Sequence, residues 1–165
     1  MPGPSVRNYA ALRTELVNQT DPEMSREAVM DLAVDRLWSH LHTTGISWLG
    51  FYARTGEDMV LLARRDKPAC SPIGLHGACG RACLERTSIV VTDVANLGDA
   101  YVACDPRDLS ELVIPMFDRD GTCWGVFDAD SFQRDSFTTH DAHELHSLFC
   151  AIGLTAGDAP DVLVV

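Results

Sequence analysis

The residues of this chain best suited to chemistry are thiols and acids. Cys70 lies in the Pro-containing run KPACSPIG. Cys79 opens the helix-like run GACGRACLER, and Cys104 sits in the polar loop YVACDPRDLSELVIP, seven positions before Glu111. The reactive form of a cysteine is the thiolate, and a helix N-terminus favours it, so Cys79 is expected to have a lowered pKa. Cys83 follows one helical turn later and reads as core. Cys123 and Cys150, in an apolar strand and an apolar helix, read as small core residues. No paired CxxC spacing of a zinc site is present.

The acids come next. Asp128 and Asp130, two apart in GVFDADS, share one face of a strand, and Glu111 begins a strand that can pair with it. A hairpin around Gly121 would bring the three carboxylates together. Such a cluster suits a metal ion or a ligand ammonium, and mutual repulsion can keep one member protonated. In SWLGFY, Trp48, Gly50 and Tyr52 point to one face. A glycine between two rings leaves an aromatic-walled gap that suits an apolar or sulfur-containing group; a strand buried on both faces is the plainer alternative. In HDAHELH, three histidines recur every third position, which is not the HExxH spacing of zinc proteases and reads as a solvated helix face.

Composition bounds the partners. The chain has 165 residues, 46% of them hydrophobic, and a net charge of −11. One domain with a full core is expected. The negative surface repels phosphates, which argues against a nucleic-acid or anionic-membrane partner. No signal-peptide core or apolar run of membrane-spanning length is visible, so a cytoplasmic protein is the expectation. Thiols are kept reduced there, and the six cysteines read as catalytic, redox or metal-binding in preference to a disulfide framework.

These residues need a scaffold. Apolar spacing predicts helices over RNYAALRTELVNQ and SREAVMDLAVDRLWSHL, the second capped by Ser25. Strands are expected over ISWLGFYAR, DMVLLARR, SIVVTDV, ELVIPMF and TCWGVFDAD, the last two joined around DRDG. Thr138 and Asp141 have capping-box spacing for a final helix. The order predicts an α+β domain with an antiparallel sheet flanked by helices. An N-terminal helical segment is expected over 1–22, the domain over 23–157 and a C-terminal tail over 158–165.

The motifs SWLGFY, PAC, GACG, TDV, ACD, SELVIP and GVFDADS, in that order from about Ile46 to Asp141, resemble the free methionine-(R)-sulfoxide reductases built on a GAF domain. The resemblance implies a six-stranded antiparallel sheet, a homodimer and a reductase of free L-methionine-(R)-sulfoxide. It assigns Cys104 as the attacking thiol, Cys70 and Cys79 as the other redox cysteines, and Glu111, Asp128 and Asp130 as catalytic, substrate-binding acids, with Trp48 and Tyr52 as the aromatic box. It implies no bound cofactor or metal. Cys104 would become a sulfenic acid, then a disulfide with Cys70 or Cys79, recycled by thioredoxin and its NADPH-dependent thioredoxin reductase. Tyr101 stands where the family carries a histidine, and Cys83 is a possible additional thiol partner. Alternatives are a non-catalytic GAF sensor of a small molecule or of redox state, and a thiolate–carboxylate metal site.

Overall fold

The computed structural model describes residues 7–100 and 104–165; Tyr101 lies outside them. Two helices, α1 (Tyr9–Gln19) and α2 (Arg26–Leu41), precede the strands β1 (Trp48–Thr55), β2 (Asp58–Arg65) and β3 (Ile73–Gly74). Then come α3 (Ala78–Glu85), β4 (Ser88–Val91), β5 (Ser110–Phe117), β6 (Cys123–Ser131), α4 (Thr139–Ala151) and β7 (Val162–Val164). The strands form one sheet in the order β3-β2-β1-β6-β5-β4-β7. No helix among the described residues is long and apolar enough to cross a membrane.

The local signals in the sequence act as expected. The Ser25 side chain accepts from Ala28 N at 3.1 Å, capping α2. Thr138 and Asp141 form a reciprocal capping box at the start of α4, satisfying two backbone N–H groups that the helix leaves without partners. The β1–β2 and β5–β6 turns place Gly56 and Gly121 at positive φ (63° and 87°), where glycine carries no Cβ penalty.

Two expectations change. The sheet has seven strands, not six: β3 is a two-residue addition at one edge, and Val162–Val164, inside the stretch read as a tail, becomes β7 at the other. Nor is the sheet wholly antiparallel, because β7 runs parallel to β4. The apolar run VLVV supplies three residues that protect the β4 edge.

Strand alternation divides the sheet into two faces. On one, Leu49, Phe51, Leu112, Ile114, Phe127 and Ala129 pack against α1, α2 and α4. Phe51, Phe127 and Phe149 meet with ring centroids 5.0–5.4 Å apart. The opposite face, which holds Trp48, Tyr52, Val113 and Val126, is covered by α3 through Cys79, Ala82 and Cys83. Gly80 makes this docking possible: a Cβ there would collide with the backbone of Leu75.

A buried ion pair ties the N-terminal helix to the last one. Arg7 Nη1 donates to Asp141 Oδ2 at 3.0 Å, and Tyr9 OH donates to Asp141 Oδ1 at 2.5 Å. Arg7 also donates to the Ser136 carbonyl at 2.8 Å. Asp141 therefore caps α4 and neutralises a buried guanidinium. Asp141→Ala should lower the unfolding free energy by about 3–5 kcal/mol, since it strands Arg7 and removes one half of the capping box. Urea denaturation checks this; a loss below about 1 kcal/mol would show that the network carries no such stability.

Candidate functional site

The register of three strands builds the site. Glu111 of β5 pairs with Asp130 of β6, which pairs with Trp48 of β1; one row along, Val113, Asp128 and Gly50 align in the same way. Directly opposed residues share a face. The three carboxylates thus converge on the face covered by α3, as the two-residue spacing of DAD implied. Glu111 and Asp128 are buried and Asp130 is half-buried.

Burial is the first cause of their titration behaviour. It pushes Asp128 and Asp130 far above the usual carboxylate range, with the neighbouring acids adding to the rise. Glu111 is also raised by burial, against a hydrogen bond with Asp128 that lowers it. Repulsion from Asp130 and Glu111 adds to the effect of burial on Asp128. The site therefore keeps an acidic proton on a buried carboxyl.

Cys79 departs from its expected chemistry. It is the second residue of α3, yet its thiol is pushed well up, not down. Burial dominates, followed by repulsion from Asp128, Glu111 and Asp130. A helix dipole contributes the equivalent of roughly half a charge, which three nearby acids and full desolvation outweigh. Its sulfur and oxygens of Glu111 and Asp128 all lie within 4.8 Å of one another, so a cation could sit among them.

The other two thiols are exposed. Cys104 is pushed up to about 12, first by desolvation of its sulfur and then by a hydrogen bond with the Cys70 thiol. The two sulfurs are thus adjacent, although their residues lie on different loops. The aromatic pair positions the Cys70 loop: Trp48 Nε1 donates to the Lys67 carbonyl and Tyr52 OH to the Cys70 carbonyl, both at 2.9 Å. The gap expected over Gly50 is filled from within. The Trp48 ring leans across it, 2.6 Å from where a Cβ would stand, so only glycine fits. Trp48 lines the pocket described below; Tyr52 stands two residues along the same face, its ring centroid 6.2 Å from that of Trp48.

A small cavity of about 100 Å³ opens at this place, lined by Trp48, Lys67, Cys104, Asp105, Asp108 and Asp130, among others. Larger clefts of about 640 and 770 Å³ lie near the β1–β2 turn and near Asp118, but neither joins a free thiol to buried acids.

Sequence reasoning missed the clamp beside Cys104. Asp105 forms ion pairs with Lys67, the sole lysine of the chain, and with Arg107, whose Nη2 lies 2.8 Å away. Both cations also stack over the Phe132 ring, at 4.8 and 4.5 Å from its centroid. The clamp joins the Cys70 loop, the Cys104 loop and the end of β6. Lone charges in a loop give no periodic signal, so only the run of charges in CDPRD could have pointed to it. Asp108 was missed for the same reason. It is buried at 5% exposure, and among the described residues its Oδ1 has no hydrogen-bond partner.

The remaining cysteines and histidines fall differently from the expectation. Cys83, read as core or as an additional thiol partner, and Cys123, read as core, are joined by a disulfide between α3 and β6, with their Cα atoms 5.8 Å apart. That separation lies within the normal disulfide range. Cys150 is only half-buried. Of the three histidines, His140 and His143 are exposed, but His146 is buried, its Nε2 3.4 Å from both the Gly157 carbonyl and Cys150 Sγ.

The GAF domain family matches residues 23–154, most of the chain. The chain belongs to that family. It is 33% identical over 107 residues to the free methionine-R-sulfoxide reductase of Saccharomyces cerevisiae, a region covering 62% of this chain and 59% of the yeast protein. The chain thus spans about three fifths of that relative. The reduced form of fRMsr of Staphylococcus aureus superposes with a TM-score of 0.84 at 30% identity, over 92% of this chain and 97% of that one. The free methionine-R-sulfoxide reductase of Neisseria meningitidis, in complex with its substrate, gives 0.79 at 28% identity, over 87% and 85%. The motif resemblance and the fold therefore point to the same GAF proteins.

The burial of Asp108 has a measurable consequence. Burial, reinforced by Asp105, pushes its carboxyl up to about 6. An unfolded aspartate titrates near 4, so between about pH 4 and 6 the folded state holds the proton more tightly, and stability falls as pH rises through that window. Asp108→Asn should therefore stabilise the domain at pH 7 by on the order of 1–3 kcal/mol and make little difference below pH ~4. Thermal unfolding of both proteins across that range tests this; a pH-independent gap would contradict it.

Proposed function

We propose that this GAF domain is an enzyme that reduces free L-methionine-(R)-sulfoxide to methionine. One observation carries the reading: the free thiol of Cys104, which the Cys70 thiol influences, lines a pocket walled by raised-pKa carboxyls. Reduction of a sulfoxide by thiols needs a nucleophilic sulfur, a proton for the departing oxygen and a second thiol. The relatives named above support the choice of substrate, and the (R) configuration follows from them.

In this mechanism the substrate enters with its ammonium towards the carboxylates and its methylsulfinyl group against Trp48. Cys104 attacks the sulfoxide sulfur as a thiolate. A cation among the acids eases loss of the thiol proton, because it offsets the negative field that holds the pKa up. Glu111, Asp128 or Asp130, carboxyls whose pKa burial raises, supplies the acid that protonates the oxygen. The oxygen passes to Cys104, methionine leaves, and Cys104 is a sulfenic acid. The Cys70 thiol attacks it, expelling water and leaving a Cys70–Cys104 disulfide. An external dithiol reduces that disulfide by exchange, with thioredoxin as the proposed donor, itself recharged through NADPH-dependent thioredoxin reductase. Cys70 is favoured over Cys79 as resolving thiol, because it is exposed and its thiol acts on that of Cys104, whereas Cys79 is buried among acids. Thioredoxin and a homodimer belong to this reading through the resemblance alone, and a cytoplasmic setting is the expectation from the sequence.

With dithiothreitol and free methionine-(R)-sulfoxide, the protein should release methionine continuously, and Cys104→Ser should reduce release to background. Cys70→Ser, without added dithiol, should still yield about one methionine per chain and leave a sulfenic acid trappable by dimedone. Full turnover by Cys104→Ser would sink the assignment.

A further inference from the structure

We propose that Asp108 binds the ammonium group of the substrate and selects the free amino acid, an assignment resting on the methionine sulfoxide reading of the pocket. Asp108 sits two residues before β5, is buried, and lines the cavity beside Cys104, Asp130 and Trp48. Its Oδ1 has no donor among the described residues. A buried carboxylate oxygen without a donor is costly, and a ligand that brings one gains the difference.

The surrounding charges leave this role open. Arg107 and Asp105 share its loop, Lys67 approaches from the segment after β2, Glu111 faces it from β5, and Asp130 feels its charge from β6. Both cations give their hydrogen bonds to Asp105, not to Asp108. With its carboxyl raised to about 6, Asp108 is ionised at neutral pH and exposed to the repulsion of Asp105 and Glu111. An alkylammonium brings donors and a positive charge together.

The acids then divide their work. Asp128 and Glu111, buried beside Cys79, are not among the residues lining the cavity. Asp108 and Asp130 are. The carboxyls that burial keeps protonated can supply the proton for the sulfoxide oxygen, while Asp108, ionised at neutral pH, holds the cation. A methionine sulfoxide within a polypeptide has its nitrogen in an uncharged peptide bond and cannot satisfy Asp108. The residue therefore acts as a filter for free substrate.

Calorimetric titration of the full-length protein, in a Cys104→Ser background that blocks turnover, tests the proposal. The ligands are free methionine-(R)-sulfoxide and 4-(methylsulfinyl)butanoic acid, in which hydrogen replaces the ammonium. The parent should bind the amino acid about ten- to a hundredfold more tightly than the desamino compound, the range expected for a hydrogen bond to a charged group. With Asp108→Asn added, that preference should collapse, and Asp108→Glu should restore part of it. A parent without the preference, or an Asn variant that keeps it, overturns the assignment. The preference and its loss would support Asp108 even if Cys104-containing protein yields no methionine, an outcome that would remove the reductase reading alone.

Discussion

Desolvation of carboxylates on one face of the sheet is the constraint on which the site depends. Glu111, Asp128 and Asp130 are held by strand pairing, not by flexible loops, so they cannot move apart to relieve their repulsion. Their response is to keep protons. The opposite face supplies the rigidity, because Phe51, Phe127 and Phe149 lock the same strands to α4. A chemically strained face is thus carried by a conventionally packed one.

The same field explains the thiols. Cys79 lies where a helix start would acidify it, but α3 is pressed onto the acid face and the thiol stays neutral. Cys104 is also raised, although it is exposed. Cys79 and Cys104 thus rest as neutral thiols, the less reactive form. Arrival of a cationic ligand changes the field on acids and thiols together, which couples binding to activation in the proposed mechanism.

The loops meet over this face through polar ends of otherwise apolar side chains. Trp48 and Tyr52 are core residues by burial, yet their N–H and O–H reach the carbonyls of Lys67 and Cys70. Lys67 then reaches Asp105, next to Cys104. Each connection is short, and together they bring Cys70 to Cys104 across 34 residues of sequence.

What the chain declares by itself is what local physics controls. Ser25 and the Thr138–Asp141 box mark helix starts because a cap is satisfied within three residues. DRDG marks a hairpin, and the alternation in DAD with the position of Glu111 places three acids on one face, because strand period and turn geometry are short-range. The motif order also identifies the family, which the comparisons bear out. Tertiary structure alone decided the rest. The neutral state of Cys79 depends on acids from two other strands, and the Cys83–Cys123 disulfide joins residues 40 apart. The burial of His146 and the parallel pairing of β7 depend on segments that carry no local signal of their neighbours. Asp108 reads in the sequence as one more loop acid; packing took away its solvent and left its Oδ1 without a partner among the described residues. Desolvation and charge coupling arise between segments brought together by the fold, so no window of sequence contains them.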